Sequence, residues 1–235
     1  MSVNLQIVII FAESIHWFMD VTFLLNRYFS DERDNTKIDV FDSSNIYSVY
    51  QRVVGVLNQY AEIEVSVLQA MSYCFYEVLD NIITHSGKNL GTVLTCFNPQ
   101  HHWLRVLVAD DGIGVHKSLA ENVKYQGISE EEALRTCIND SVTDGKGMGF
   151  GLYSTQLLIR NTGLRFEIHS GTHKLSFQDN DLIVQETDLW QGTLVFMELS
   201  TDKEINPNEV VAYRTDCASQ YNEQFLNDSE LEQLW

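Results

Sequence analysis

A four-residue spacing places a carboxylate, an amide and an imidazole on one side of a predicted helix. Glu77, Asn81 and His85 share this side, and the apolar residues of the segment fall largely on the opposite face. A carboxylate can act as a general base, and an amide oxygen can bind a divalent cation. The motif therefore indicates a reactive polar face. A merely solvated helix face is the alternative that the motif alone leaves open.

A second pattern follows an apolar strand. Asp110 comes directly after residues 104–109, and Gly112 and Gly114 follow it at alternate positions. A carboxylate at the end of a strand can accept a hydrogen bond from an exocyclic amine, and glycines allow a ligand to approach the backbone closely. These residues indicate one wall of a small-molecule site, with a simple Asp-Gly turn as the alternative. A calcium loop fits less well, because the further acidic ligands are missing from the sequence.

A third pattern is a run of alternating glycines, residues 145–151, directly before a predicted helix. The backbone amides of such a loop, with the positive end of a helix dipole behind them, form a natural phosphate site. The run lacks the Gly-Lys-Ser/Thr ending of a Walker loop. A polar insert rather than a strand precedes it, which excludes the dinucleotide fingerprint. A flexible glycine loop is the alternative reading of the run by itself.

Hydrophobic periodicity predicts the elements that must position these motifs. An apolar stripe at spacings of three and four predicts a long helix over residues 63–85 that lies on a sheet. Ser129 and Glu132 predict a capping box at the start of a short helix. The other predicted helices cover residues 14–30, 45–60 and 151–161, and the predicted strands cover 3–11, 37–41, 92–98, 103–109, 164–170, 173–178, 182–187 and 193–199. This order predicts an α/β (α+β) fold, a two-layer sandwich of helices on a mixed, largely antiparallel sheet.

The charge balance limits the partners that the chain can have. Its 15 basic and 33 acidic residues give a net charge of −18, which argues against binding to nucleic acid or to an anionic membrane surface. Residues 5–25 are apolar but contain three ionisable side chains, which argues against a membrane-spanning helix. The four cysteines form no zinc-binding or disulfide pattern. We therefore expect a reduced, cytoplasmic protein.

Together and in this order, the three patterns resemble the N, G1 and G2 boxes of the GHKL superfamily, whose histidine kinase-like ATPase domains have the Bergerat fold. They are ExxxNxxxH from Glu77, DxGxG from Asp110 and GxGxGL from Gly147. The strand that begins at Thr193, directly after a glycine, resembles the late Gly-Thr strand that closes the adenine pocket. The resemblance covers about residues 45–200.

The resemblance implies a binding site for ATP and Mg²⁺. It implies that Glu77 orients or deprotonates the attacking group and that Asn81 binds Mg²⁺. Asp110 would accept a hydrogen bond from the adenine amine, and Thr193 would contact adenine directly or through water. Residues 115–146, called the lid segment below, would close over the nucleotide. The other residues implied in nucleotide binding are Gly112, Gly114, Lys146, Gly147, Met148, Gly149, Gly151 and Leu152.

The arrangement favours a stand-alone member of the superfamily, similar to bacterial serine kinases of the anti-sigma-factor type. We expect a strand-helix-strand extension (1–43), an ATP-binding domain (44–200) and an acidic tail (201–235). His16 lacks the sequence context of a phosphoacceptor histidine. Two functions stay open: a regulatory ATPase or serine kinase acting on a regulatory protein partner, and an ATP-dependent interaction switch with little turnover. Whether the extension joins the sheet or mediates a homodimer also stays open.

Overall fold

The computed structural model describes residues 21–60, 62–145, 151–178 and 181–211. In chain order, its helices are α1 (Val21–Tyr28), α2 (Ile46–Leu57), α3 (Val65–His85), α4 (Gly114–Leu119), α5 (Glu130–Cys137), α6 (Gly151–Thr162) and α7 (Pro207–Val211). Its strands are β1 (Lys37–Phe41), β2 (Gly91–Asn98), β3 (Trp103–Ala109), β4 (Gly163–Gln178) and β5 (Asp181–Ser200). Two short 3-10 helices cover Arg33–Asn35 and Val123–Tyr125. The predicted strand 3–11 and the start of the predicted helix 14–30 lie outside the described residues.

The strands form one sheet in the order β1-β2-β3-β5-β4, and every pair of neighbours is antiparallel. Strand β3 lies in the centre, where Ala109 is opposite Thr92 on one side and Leu194 on the other. The chain therefore leaves β3 at Asp110 beside the middle of β5. The α/β class with largely antiparallel pairing, predicted from the sequence, is confirmed.

Alternating side chains of the central strands pack into two separate apolar layers, as expected for a period of two. Val106 and Val108 of β3 face the main core, where helix α3 contributes Phe75 and Val78. Leu107, one residue away, faces the opposite side of the sheet. Helix α1 covers this second side with an apolar cluster of its own: Leu24, Leu25, Tyr28 and Phe29. The predicted sandwich has helices on one face of the sheet. In the structure, helix α1 also covers the opposite face.

The C-terminal part of the sheet differs from the prediction in its number of strands. Four short strands were expected between residues 164 and 199, but β4 and β5 form a single long hairpin. The register of the hairpin shifts at Ser170, Gly171 and His173. A bulge of this kind bends a strand without ending its pairing, so the polar residues that suggest turns lie within continuous strands.

The remaining predictions of secondary structure agree closely with the structure. Helix α3, strands β1 and β3 and the capping box of Ser129 and Glu132 are found as expected. Helix α6 ends just before Gly163, where a Cβ would lie 2.4 Å from the Ile159 carbonyl oxygen. Within the described ranges, no helix is both long enough and apolar enough to cross a membrane.

Candidate functional site

A cavity of about 360 Å³ lies between helix α3, the central strands and the lid segment. It brings together residues from all three sequence motifs and from the Gly-Thr strand. The predicted site residues that line it are Glu77, Asn81, Asp110, Gly114, Gly151, Leu152 and Thr193. Gly112 lies next to the cavity in the turn after Asp110. Lys146, Gly147, Met148 and Gly149 lie outside the described residues.

Asp110 lies at the inner end of the cavity and is only 1% exposed. Its Oδ1 atom accepts a hydrogen bond of 2.6 Å from the backbone amide of Gly112. Its own backbone amide donates to the carbonyl oxygen of Thr193 at 2.9 Å. Burial raises the pKa of Asp110 from 3.8 to about 7, although backbone hydrogen bonds from Gly112 and Thr193 lower it in part. The carboxyl group can therefore exchange a proton near neutral pH.

The turn that follows Asp110 is held closely by its neighbours. The amide of Ile113 donates to the carbonyl oxygen of Ser86 at the end of α3, at 2.8 Å. A Cβ atom at Gly112 would lie 2.1 Å from that same oxygen. A Cβ at Gly192, where φ is +90°, would lie 2.4 Å from the Asp110 carbonyl oxygen. Glycine is thus required at both positions by contacts within the protein itself.

The other end of the cavity is formed where helix α6 begins against helix α3. Glu77 and Asn81 are half-buried there, on the same face of α3. A Cβ at Gly151, the first residue of α6, would lie 3.1 Å from Glu77 Oε2 and 3.1 Å from Asn81 Nδ2. The N-terminus of a helix carries unpaired backbone amides and the positive end of the dipole, both of which favour phosphate. A carboxylate and an amide therefore lie beside a helix end of the kind that favours anions.

His85 is joined to the lid segment by a buried carboxylate. Its Nδ1 atom lies 2.7 Å from Oδ2 of Asp144, whose side chain is 1% exposed. The hydroxyl of Ser118 in α4 donates to the same oxygen at 3.0 Å. Asp144 was missed by the sequence analysis, because a single aspartate in a polar segment carries no local signal. It is brought to His85 by the packing of the lid segment.

The oxygen donors near Glu77 fit a hard cation such as Mg²⁺. A carboxylate and an amide are oxygen ligands of the kind that Mg²⁺ prefers. The described residues contain no group of three His, Cys, Asp or Glu side chains placed to hold a metal ion. Mg²⁺ commonly takes only one or two protein ligands and completes its shell with water and substrate phosphates. The site therefore fits a cation that arrives with a phosphorylated ligand.

A carboxylate at the base of the cavity and a helix N-terminus at its other end define a nucleotide-binding protein of the two-layer α/β type. Comparison with known families agrees with this class. Residues 67–201, more than half of the 235 residues, match the family of histidine kinase-, DNA gyrase B- and HSP90-like ATPases. The chain belongs to this family, and the resemblance of its motifs to the GHKL superfamily is confirmed. No curated protein matches the chain at a significant level. The family match by itself identifies an ATP-binding, histidine kinase-like ATPase domain in this chain.

Proposed function

We propose that the chain is a Mg²⁺-dependent regulatory ATPase or protein serine kinase of the anti-sigma-factor type. The observation that carries this proposal is the contact of Glu77 and Asn81 with Gly151 at the start of α6. It puts a carboxylate within reach of the helix end that suits the terminal phosphates. A domain that only bound nucleotide would need no general base at this position.

In this proposal, one end of the cavity binds the base, and the other end binds the phosphates and holds the catalytic carboxylate. Asp110 would accept a hydrogen bond from the adenine amine, and Thr193 would contact the same base. Gly151 and Leu152 would present the α6 amides to the phosphates, together with Lys146, Gly147, Met148 and Gly149. Glu77 would remove the proton from a serine hydroxyl or from water as it attacks. Mg²⁺, held through Asn81, would neutralise charge on the phosphates when bound.

The anti-sigma-factor type implies a regulatory protein as partner and a cytoplasmic location. The buried thiols of Cys96 and Cys137 form no disulfide with the described residues, as expected in a reducing compartment. The net charge of −18 supports a protein partner rather than nucleic acid. Pairing of β1 with β2 supports a role of the extension within the sheet rather than in a homodimer.

The substitution Glu77→Gln tests the enzymatic role. We expect phosphate release to fall by about 100- to 10,000-fold, the usual contribution of a general base. The dissociation constant for Mg²⁺-ATP should stay within about threefold, because an amide of the same shape keeps the helix contact. Glu62→Gln, an exposed carboxylate before α3, is the matched control and should change neither quantity.

The same measurements separate the enzyme from the interaction switch. If wild-type protein binds ATP but releases no phosphate and transfers none to protein, the switch is the better account. If release persists in Glu77→Gln at the wild-type rate, Glu77 is not the base. Loss of ATP binding in Glu77→Gln would instead assign this residue to ligand binding.

A further inference from the structure

The turn that carries Asp110 is fastened by side chains from the β4-β5 hairpin. The Ser170 hydroxyl accepts a hydrogen bond from the amide of Val115 at 2.9 Å and donates to the carbonyl oxygen of Gly192 at 2.8 Å. Ser170 is 5% exposed, so water cannot readily replace either bond. One hydroxyl therefore joins the end of the turn to the strand that carries Thr193.

The bulge in β4 begins directly after Ser170, the residue that contacts the turn. Ser170 is opposite Thr193 in the ladder, and the register shifts at the next residue, Gly171, where φ is +63°. A Cβ at Gly114 would lie 2.7 Å from Ser170 Oγ, so the turn and the hydroxyl are already in close contact. The residue that contacts the turn is thus the last residue paired in register before the bulge.

A second hairpin side chain holds the middle of the same turn. Gln191 Nε2 donates to the carbonyl oxygen of Gly112 at 2.5 Å. The amide of Gly112 is in turn the donor to Asp110 Oδ1. The carbonyl and the amide of Gly112 belong to adjacent peptide groups that share its Cα, so a shift of the carbonyl would also displace the amide that orients the carboxylate.

We infer that Ser170 and Gln191 are positioning residues that set the preference for adenine over guanine. The inference rests on the proposed role of Asp110 in contacting the base. Adenine carries an amine where guanine carries an oxygen acceptor. A carboxylate fixed in place accepts from the amine and repels the oxygen. A site built for one hydrogen-bonding group rejects an analogue that lacks it only while its polar groups stay fixed.

The test compares the affinities of ATP and GTP in Ser170→Ala and Gln191→Met by calorimetric titration with Mg²⁺ at pH 8, where the Asp110 carboxylate is ionised. We expect the ratio of the two affinities to fall by about tenfold in Ser170→Ala, which loses two buried hydrogen bonds. We expect a fall of about threefold in Gln191→Met, because this residue is more exposed. In both variants, KM for ATP should rise above the wild-type value. Their kcat should stay within about twofold of wild type, because Glu77 lies at the other end of the cavity.

Two matched controls separate positioning from general loosening of the hairpin. Ser176→Ala removes another buried hydroxyl from β4, and Gln185→Met changes an exposed residue of β5. Both should keep the wild-type ratio. A fall in either control would overturn the assignment to Ser170 and Gln191. Thermal unfolding of each variant checks the fold, and Gln191→Met keeps the test available if Ser170→Ala does not fold.

Two further outcomes distinguish this inference from the proposed function. If Asp110→Asn weakens ATP binding but Ser170→Ala and Gln191→Met keep the wild-type ratio, the inference is wrong and the proposed function stands. If wild-type protein binds neither nucleotide, or Asp110→Asn binds ATP unchanged, the proposed role of Asp110 fails and the inference fails with it.

Discussion

The two ends of the cavity are built in different ways. At the end that would bind the base, Asp110 and Ser170 are buried, and their side chains accept hydrogen bonds from backbone amides of the turn between them. At the end that would bind phosphate, Glu77 and Asn81 are half-buried side chains on a helix face. The difference means that the end proposed to bind the base is held in place by internal hydrogen bonds, whereas the end proposed to bind phosphate presents partly exposed side chains.

The bulge in β4 connects the lid segment to the end of the cavity that would bind the base. Two residues after Ser170, the backbone amide and hydroxyl of Thr172 donate to Glu130 Oε2 at 3.0 and 2.7 Å. His173 Nδ1 lies 3.3 Å from the same oxygen. The hydrogen bonds of Thr172 lower the pKa of Glu130, so the carboxylate is charged at neutral pH. Residues at one bulge therefore contact two elements: Ser170 contacts the turn after Asp110, and Thr172 contacts the start of helix α5. The contact with α5 is exposed to solvent.

The largest contrast between the two ends is expected from a pair of glycine substitutions. Gly192 and Gly145 both have positive φ, but a Cβ at Gly192 would meet Asp110 at 2.4 Å, whereas a Cβ at Gly145 would meet none of the described residues beyond its chain neighbours within 4 Å. Gly192→Ala should lower the free energy of unfolding by about 3 kcal/mol or more, from strain and overpacking together. Gly145→Ala should cost only about 1–2 kcal/mol, from backbone strain alone. Urea denaturation measures both, and equal losses would remove the contrast.

The pH dependence of stability tests the burial of Asp110. Its pKa is raised to about 7 in the folded protein, so the folded state binds the proton more tightly than the unfolded state does. The stabilisation from the protonated form is present below the unfolded value of 3.8 and is lost as the pH rises through about 7. Between pH 5 and pH 8, the free energy of unfolding of wild type should fall by about 2 kcal/mol relative to Asp110→Asn. A constant difference over this range would contradict the burial of an ionisable group here.

Base recognition itself is tested by Asp110→Asn at pH 8, where the wild-type carboxylate is ionised. The variant loses a charge-assisted hydrogen bond to the adenine amine, so the dissociation constant for ATP should rise by about 10- to 100-fold. Calorimetric titration measures the change. Asp111→Asn, the next residue along the chain, is the control and should bind ATP as wild type does. A comparable loss in the control would show that net charge rather than the buried carboxylate determines affinity.

The smallest effect is expected where the lid segment meets the bulge. Glu130→Gln replaces an exposed, charged acceptor with a neutral one, so stability should change by less than about 1 kcal/mol. Amide hydrogen exchange in helix α5 should accelerate by a few fold, because the helix start is held less firmly. The ratio of ATP to GTP affinity should stay at the wild-type value. A changed ratio would show that the contact of Thr172 with Glu130 is coupled to the contact of Ser170 with the turn after Asp110.

Local patterns in the sequence predicted most elements of the fold. The stripe that includes Phe75 and Val78 predicted the long helix α3, and the apolar run of residues 103–109 predicted β3 with the same bounds. The hairpin was predicted incorrectly, because the bulge after Ser170 places polar residues within a paired strand. Periodicity describes only which face of an element is apolar, and a bulge breaks that period without breaking the strand.

The motifs of the candidate site were also visible as local patterns, since Glu77 and Asn81 share one helix and Asp110 ends one strand. Their assembly in one cavity follows from the order of strands and from the packing of α6 on α3. The contacts that complete the site come from residues with no motif of their own. Asp144 reaches His85 from the lid segment, and Ser170 reaches the turn after Asp110 from the hairpin.

By itself, the sequence determined the family, the class of fold and the residue types available for binding ATP, because these depend on spacing along one helix, strand or loop. Only the tertiary structure decided that Asp110 is buried with a raised pKa, and that Ser170 and Gln191 fasten its turn. Burial and hydrogen bonding between distant residues depend on how the elements pack. A single serine or glutamine carries no local signal of the partner that packing will give it.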